Sequence, residues 1–310
     1  MPTELKSHSR LVLALGGFDG VHLGHQQIIS RTLELATELG AIPGVMTFDP
    51  LPAQLIYPSF TYVLTPLAEK VRLLVELGIE TVYVVQFDQT VRLMSAEAFV
   101  RKEIISRLSP VAVVVGHDHR FGSNGQGDTQ LLGRVLAEYG VRLEVVPEFV
   151  LFGGPVRSTR IRERLLLGDV RRAAELLGRY YTMSGAVVPG TGTGRKLGFP
   201  TINLRPDERE TLVPADGVYV CRVSFAGRSH DAVLNIGHRP TFGGETRTIE
   251  AHLLDVEEEV SVHRALIAVI DRIRPERRFD TATLLATQIG RDIECARRIL
   301  ATVAPANIDT

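Results

Sequence analysis

The feature that most constrains this chain is an alternation repeated through its first half. Five short apolar runs, LVLAL (11–15), GVMTF (44–48), TVYVVQF (81–87), VAVVVG (111–116) and RLEVV (142–146), are separated by stretches of helical period near 25–39, 66–77, 95–107 and 128–139. A strand that is apolar at successive positions has no solvent face, which places helices on both sides of a parallel sheet. Gly40, Gly78 and Gly140 stand where those helices should stop, because a helix commonly ends on a left-handed residue. The expected fold of this half is a Rossmann-like, doubly wound parallel sheet.

Beyond about residue 180 the texture changes. VVPGTGTGRKLGFPTINL, DGVYVCRVSFAGRSHDAVLNIG and TIEAHLLDVE are β-rich runs broken by Gly, Pro and Asn, with no helical crossover between them. That pattern predicts an antiparallel sheet or small barrel. A terminal helix is expected over 281–302, where Leu285, Ile289, Ile293 and Ala296 follow helical spacing. Two domains are therefore expected, 1–182 and 183–310.

Composition narrows the setting. The 35 basic and 36 acidic side chains give a net charge of −1, so no chain-wide polycationic surface points to nucleic acid or to a membrane. The 2 cysteines, Cys221 and Cys295, offer no disulfide framework, which fits a reducing, cytoplasmic compartment. No apolar run reaches the roughly 18–20 residues that span a bilayer. The sequence leaves the oligomeric state undetermined.

Three candidate pieces follow strands of the first half, where ligands bind in parallel sheets. In GGFDGVHLGH (16–25), Gly17 and Gly20 flank Phe18 and Asp19, and His22 and His25 stand at the start of a helix. Helix N-termini favour anions, so phosphate binding is one reading; a shared metal and incidental turn polarity are the others. No third metal ligand is evident nearby, and the glycines do not match the dinucleotide fingerprint. VGHDHRFG (115–122) offers Asp118, Arg120 and Phe121 for a nucleotide or its partner substrate, or is a polar loop. In VRSTRIRERL (156–165), Ser158, Thr159 and Arg162 can hold phosphate, or simply cap and solvate a basic helix.

The second half holds a glycine-rich loop, GTGTGRKLGFPTIN (190–203), with Gly192, Gly194 and Lys196 placed to close over phosphates, or a plain hairpin turn. Thr201 and Asn203 are oxygen donors two residues apart, on one face if extended, which suits Mg²⁺. Glu250 lies in an apolar strand-like run, either facing solvent or acting as a general base.

Taken in order, GGFDGVHLGH, TFDP, VGHDHRFG and RSTRIR resemble the nucleotidyltransferase module of the bacterial bifunctional riboflavin kinase/FMN adenylyltransferase (FAD synthetase) family, and GRKLGFPTIN, GVYV, NIGHRPTFGG and IEAHLLD resemble its riboflavin kinase module. The resemblance implies an α/β nucleotidyltransferase followed by a six-stranded barrel with a terminal helix. It implies that riboflavin is phosphorylated to FMN and FMN adenylylated to FAD, with ATP as co-substrate and pyrophosphate released. His22, His25, Ser158, Thr159 and Arg162 would handle phosphates, MgATP would lie near Thr201 and Asn203, and Glu250 would activate the riboflavin hydroxyl. Several positions depart from the family pattern: Leu51 stands where His is common, His119 where an aromatic is usual, and Arg157 where Ser is usual. Val256, Ser261 and Val262 replace the usual Phe and Tyr-Gly pair. Those losses raise two alternatives: an adenylyltransferase with an impaired kinase barrel, and a flavin- or nucleotide-binding regulator without turnover.

Overall fold

The computed structural model describes residues 10–57, 59, 62–190, 199, 201–208, 210–241, 244–254, 256 and 262–303. By packing, the chain divides into two compact units, Met1–Ser158 and Thr159–Thr310. The first unit runs β1 (Leu11–Leu15), α1 (Leu23–Leu39), β2 (Ile42–Asp49), α2 (Pro52–Ile56), α3 (Leu67–Glu76), β3 (Thr81–Gln86), α4 (Gln89–Leu93) and α5 (Ala96–Phe99). It continues with a π-helical Val100–Ser106, β4 (Ala112–Gly116), α6 (Thr129–Ala137), β5 (Arg142–Val146) and a small hairpin of β6 (Val150–Leu151) and β7 (Gly154–Pro155).

The main sheet has the order β3-β2-β1-β4-β5, and every pairing in it is parallel. Central β1 is buried at all five positions. Leu11, Leu13 and Leu15 join one core, while Val12 and Ala14 join two others. Successive side chains of a strand point to opposite faces, so this division is the doubly wound architecture written on one strand. Helix α1 stops at Gly40 (φ 57°), whose left-handed backbone lets its N–H reach the Ala36 and Thr37 carbonyls. The chain leaves β1 toward β2 on one side and reaches β4 on the other. The loops after β1 and β4 therefore flank the point where strand order reverses.

The second unit contains most of α7 (Ser158–Leu166), then α8 (Val170–Leu177), β8 (Tyr181–Val188), β9 (Thr201–Pro206), β10 (Gly217–Phe225), β11 (Arg228–Thr241), β12 (Gly244–Leu253), β13 (Arg264–Arg274) and α9 (Ala282–Leu300). The six strands close into an antiparallel barrel of order β10-β11-β12-β9-β8-β13. Helices α7 and α8 pack with this barrel: Ala215 N donates to Leu165 O at 2.9 Å and Arg272 Nη1 to Leu167 O at 3.2 Å. Packing thus divides the chain earlier than the change of sequence texture does, because texture records strand and helix periods but not which surface a helix covers.

Val218, Val220 and Val233 face outward onto Ala296 and Leu300 of α9. Alternation then turns Tyr219, Cys221 and Leu234, all fully buried, into the barrel interior. An ion pair also ties the helix to the barrel. Arg274 of β13 meets Asp292 of α9 through Nε (3.1 Å to each oxygen) and Nη2 (2.8 Å), and Gln288 Nε2 donates to Asp292 Oδ1 at 2.7 Å. Asp292 is 3 % exposed. Removing one partner of a buried pair strands the other charge, at a cost of about 3–5 kcal/mol. Asp292→Ala should therefore lower the stability of the barrel unit by that order in urea unfolding, and Arg274→Met with Asp292→Leu should recover most of the loss.

Candidate functional site

The loop after β1 carries unusual backbone. Phe18 (φ 48°), Gly20 (φ 87°) and Val21 (φ 40°) all lie in the left-handed region, which a β-branched residue such as Val rarely enters. Such strain persists only where neighbours over-determine it. Phe18 and Val21 are sunk in the core with Ala14, Ile29, Val45 and Leu74. The Asp19 carboxylate accepts from Leu64 N (3.0 Å) and Thr65 N (3.1 Å), and Gly20 N donates to Thr65 Oγ1 at 2.9 Å. Phe18 and Asp19 therefore hold the loop's shape with their side chains. Any contact with a nucleotide from these two residues falls to their backbone.

His22 caps α1: its Nδ1 accepts from His25 N at 3.2 Å, and its ring stacks on that of His25 with centroids 3.6 Å apart and planes at 13°. Because Nδ1 accepts, a neutral His22 ring carries its proton on Nε2 and is a donor there. A Cβ at Gly24 would lie 3.2 Å from Nδ1 and Cε1 of His22 and from Val156 O. A side chain at this position would crowd the His22 ring. Two imidazoles and the open end of a 17-residue helix thus stand together at the switch point, where N–H groups and the helix dipole favour an anion. Ser158 Oγ donates to Asp19 O at 2.8 Å, so it also stands at this loop. Thr159 and Arg162 lie on α7 in the second unit.

The loop after β4 separates its three candidates. Phe121 is buried, 6.1 Å from Phe99, whereas Asp118 and Arg120 are exposed. Arg157 joins Glu148 (2.8 Å) and Asp118 (3.5 Å) in one surface network. The His119 ring stacks on Phe121 at 5.6 Å. Part of this residue is exposed, but its Nε2 is buried and has no hydrogen-bond partner. Leu51, also buried, lies against Gly17, 3.4 Å from where a Cβ would be.

In the barrel, strand register assembles a polar row. Asn235 pairs with Glu250 and Glu250 with Asn203; one step along, His252 pairs with Thr201. Directly paired residues share a face, and Asn235 also pairs with Val218, so the face is the outer one, toward α9. Thr201, Asn203 and Glu250 thus lie together on two neighbouring strands. Glu250 is 7 % and Asn203 9 % exposed. Thr248 Oγ1 donates to Glu250 Oε1 at 3.0 Å. A Cβ at Gly190 would strike Asn203 Nδ2 at 2.2 Å, so the chain entering the glycine-rich loop passes directly over that amide. Gly192, Gly194, Lys196 and Ser261 lie outside the described residues.

Among the described residues one trio, Asp216, His238 and Glu276, has ligand atoms within 4.8 Å of one another. Arg247 Nε donates to Asp216 Oδ1 at 2.8 Å and His238 Nδ1 lies 2.9 Å from Oδ2, so side chains of the chain itself already engage both oxygens of Asp216. Three residues near the sites were not among the candidates: Lys70, 2 % exposed beneath the glycine loop and outside every motif, and Asn235 and His252 of the polar row, which lie inside NIGHRPTFGG and IEAHLLD. Asn235 and His252 could have been found by carrying strand alternation outward from Glu250. Lys70 reads in sequence as one more solvated helix charge.

Burial lowers the pKa of His119 to about 4, against the weaker upward pull of Asp118. The unfolded chain then takes up this proton first, so the group's contribution to stability is present above about pH 6.5 and is lost as pH falls toward 4. His119→Phe should flatten that part of the pH dependence, measured as urea midpoints at pH 7 and 5. An unchanged slope would show that His119 is already solvated.

A family model of FAD synthetase matches residues 4–160 and one of riboflavin kinase matches residues 177–300. A bifunctional riboflavin kinase/FMN adenylyltransferase of Pseudomonas fluorescens is 34% identical over 298 residues, covering 96% of this chain and 95% of the relative. Its namesake in Escherichia coli (strain K12) is 35% identical over 297 residues, covering 95% and 94%. A crystal structure named as a macrolide-efflux protein from Streptococcus pneumoniae superposes with a TM-score of 0.87 at 30% identity, covering 95% of this chain and 96% of that one. Among the described residues of this chain, no helix is long and apolar enough to cross a membrane. Two family models matched in order, and relatives similar from end to end, place this chain in the bifunctional riboflavin kinase/FMN adenylyltransferase family.

Proposed function

We propose that this enzyme phosphorylates riboflavin to FMN and adenylylates FMN to FAD, using ATP in both steps. The observation that carries the reading is the presence in one chain of two separate phosphate-suited constellations: the stacked His22–His25 pair at the switch point and the Thr201–Asn203–Glu250 row on the barrel. The division of labour follows the proposed domains, adenylyl transfer in 1–182 and the kinase in 183–310. Free cysteines agree with a reducing cytoplasm as the setting.

In the kinase step the riboflavin 5′-hydroxyl oxygen attacks the γ-phosphorus of ATP, its proton passes to Glu250, and ADP leaves. Glu250 suits a base: it is buried on the barrel face that also carries Thr201 and Asn203, and the Thr248 hydroxyl orients its carboxylate. Thr201 and Asn203 are neutral hard-oxygen donors at adjacent levels of the same barrel face, a set that fits Mg²⁺. Bound there, the ion supplies neutralisation of ATP phosphate charge. Gly192, Gly194 and Lys196 are assigned to closing over those phosphates.

In the second step a phosphate oxygen of FMN attacks the α-phosphorus of ATP, and the bond to pyrophosphate breaks. No protein nucleophile or base is needed; positioning and charge stabilisation suffice. The Nε2–H of His22, His25 and the amides opening α1 are the donors to the transferring phosphoryl oxygens. Gly17 and Gly20 let the backbone approach, and Ser158, at the start of α7 and hydrogen-bonded to this loop, is assigned to the same phosphates. Thr159 and Arg162 are assigned to phosphate binding, and Asp118, Arg120 and Phe121 are the candidate flavin contacts.

Chromatography of products from riboflavin plus MgATP should show FMN and then FAD. His22→Ala should cost about 10²–10³ in FAD formation while FMN formation persists, and Glu250→Gln should show the reverse, losing about 10²–10⁴ in FMN formation. Equal loss of both products in each variant would overturn the division. FAD from FMN but no FMN from riboflavin would mark an impaired kinase barrel, and binding of both ligands without product would mark a regulator.

A further inference from the structure

We propose that Lys70 is a positioning residue of the adenylyl-transfer site, acting through the glycine loop; this rests on the reading that the first unit transfers adenylyl groups. Lys70 sits on α3, outside every motif, and is 2 % exposed. Burying an ammonium is costly unless its hydrogen bonds are met. Its Nζ donates to Gly17 O at 3.1 Å, Thr47 Oγ1 at 3.3 Å and Phe48 O at 3.5 Å. Thr47 Oγ1 also donates to Gly17 O, at 3.1 Å, so that carbonyl takes two donors from two different elements.

Gly17 immediately precedes the left-handed residues that bring the chain round to His22. Fixing its carbonyl fixes the peptide plane from which that strained turn starts. Just upstream of α3, Leu64 and Thr65 hold the other side of the same loop through Asp19 and Gly20. Residues 64–70 therefore brace the loop just before its strained segment, at Gly17, and within it, at Asp19 and Gly20. The brace also places a buried positive charge directly beneath the loop, where solvent screens its field little.

This charge separates the proposal from simple packing. Methionine matches lysine as far as Cε and fills most of the same space without the ammonium; glutamine keeps a donor but not the charge; arginine keeps the charge. The full-length protein and its Lys70→Met, Lys70→Gln and Lys70→Arg variants are assayed for FAD formation from FMN and ATP. Riboflavin phosphorylation and thermal midpoint are read on the same preparations. The expected result is a KM for ATP raised about tenfold or more in Lys70→Met, a similar rise in Lys70→Gln, and substantial recovery in Lys70→Arg, with riboflavin phosphorylation retained in all three. Should Lys70→Met fail to fold, Lys70→Gln against Lys70→Arg makes the same comparison. An unchanged KM for ATP in the neutral variants, with or without a lowered thermal midpoint, overturns the proposal and leaves Lys70 a structural residue. A parent protein that makes no FAD from FMN overturns instead the functional reading beneath it.

Discussion

The first unit depends on a strand with no solvent face. Every side chain of β1 is buried, alternately on one side of the sheet and the other. Such a strand must be central, must have helices over both faces, and must leave the sheet abruptly at its carboxyl end. The loop that leaves it turns back through three left-handed residues in four positions, and the core holds two of them by their side chains. The histidine pair is thus presented by a rigid frame. For the proposed catalysis by positioning that matters, because a misplacement of about 1 Å can cost about 10²-fold in rate.

The barrel solves the same problem by register. A closed antiparallel sheet has no free edge, and each residue's neighbours across the strands are fixed. Glu250, Asn203 and Asn235 come from three strands but fall at one level on one face, with His252 and Thr201 one level along. A slip of one residue between β9 and β12 would send Thr201 and Asn203 to the opposite face from Glu250. The apolar residues between them, Ile202 and Ala251, are buried on the interior side, and their burial holds the register in place. Helix α9, tied down by Arg274 and Asp292, covers the outer face beside that row.

Much of this was legible in the residues. The five strands of the sheet occur where the apolar runs stand, and α1, α3, α6 and α9 where helical spacing stands, because burial on a fixed period is a local signal. The short α2 and α4 and the hairpin of β6 and β7 carry too few periods to be seen. Helix α8 shows the pattern over only 8 residues. The helix expected at 95–107 is present but changes to a π-helical course at Val100, a change that spacing does not encode.

By itself the sequence determined the two architectures, the order of the two chemistries, and which loops carry histidine, glycine and hydroxyl groups. These follow from periodicity and from motifs that are contiguous in the chain. Only the tertiary structure decided that Phe18 and Asp19 serve the loop with their side chains, that the His22 and His25 rings stack, and that Lys70 lies buried beneath Gly17. The reason is physical. Whether a polar side chain meets solvent, a backbone carbonyl or a ligand depends on residues tens of positions away, and no local period records them. Lys70 has the same sequence appearance as a solvated lysine; only the packing of α3 against the ends of β1 and β2 takes it out of water.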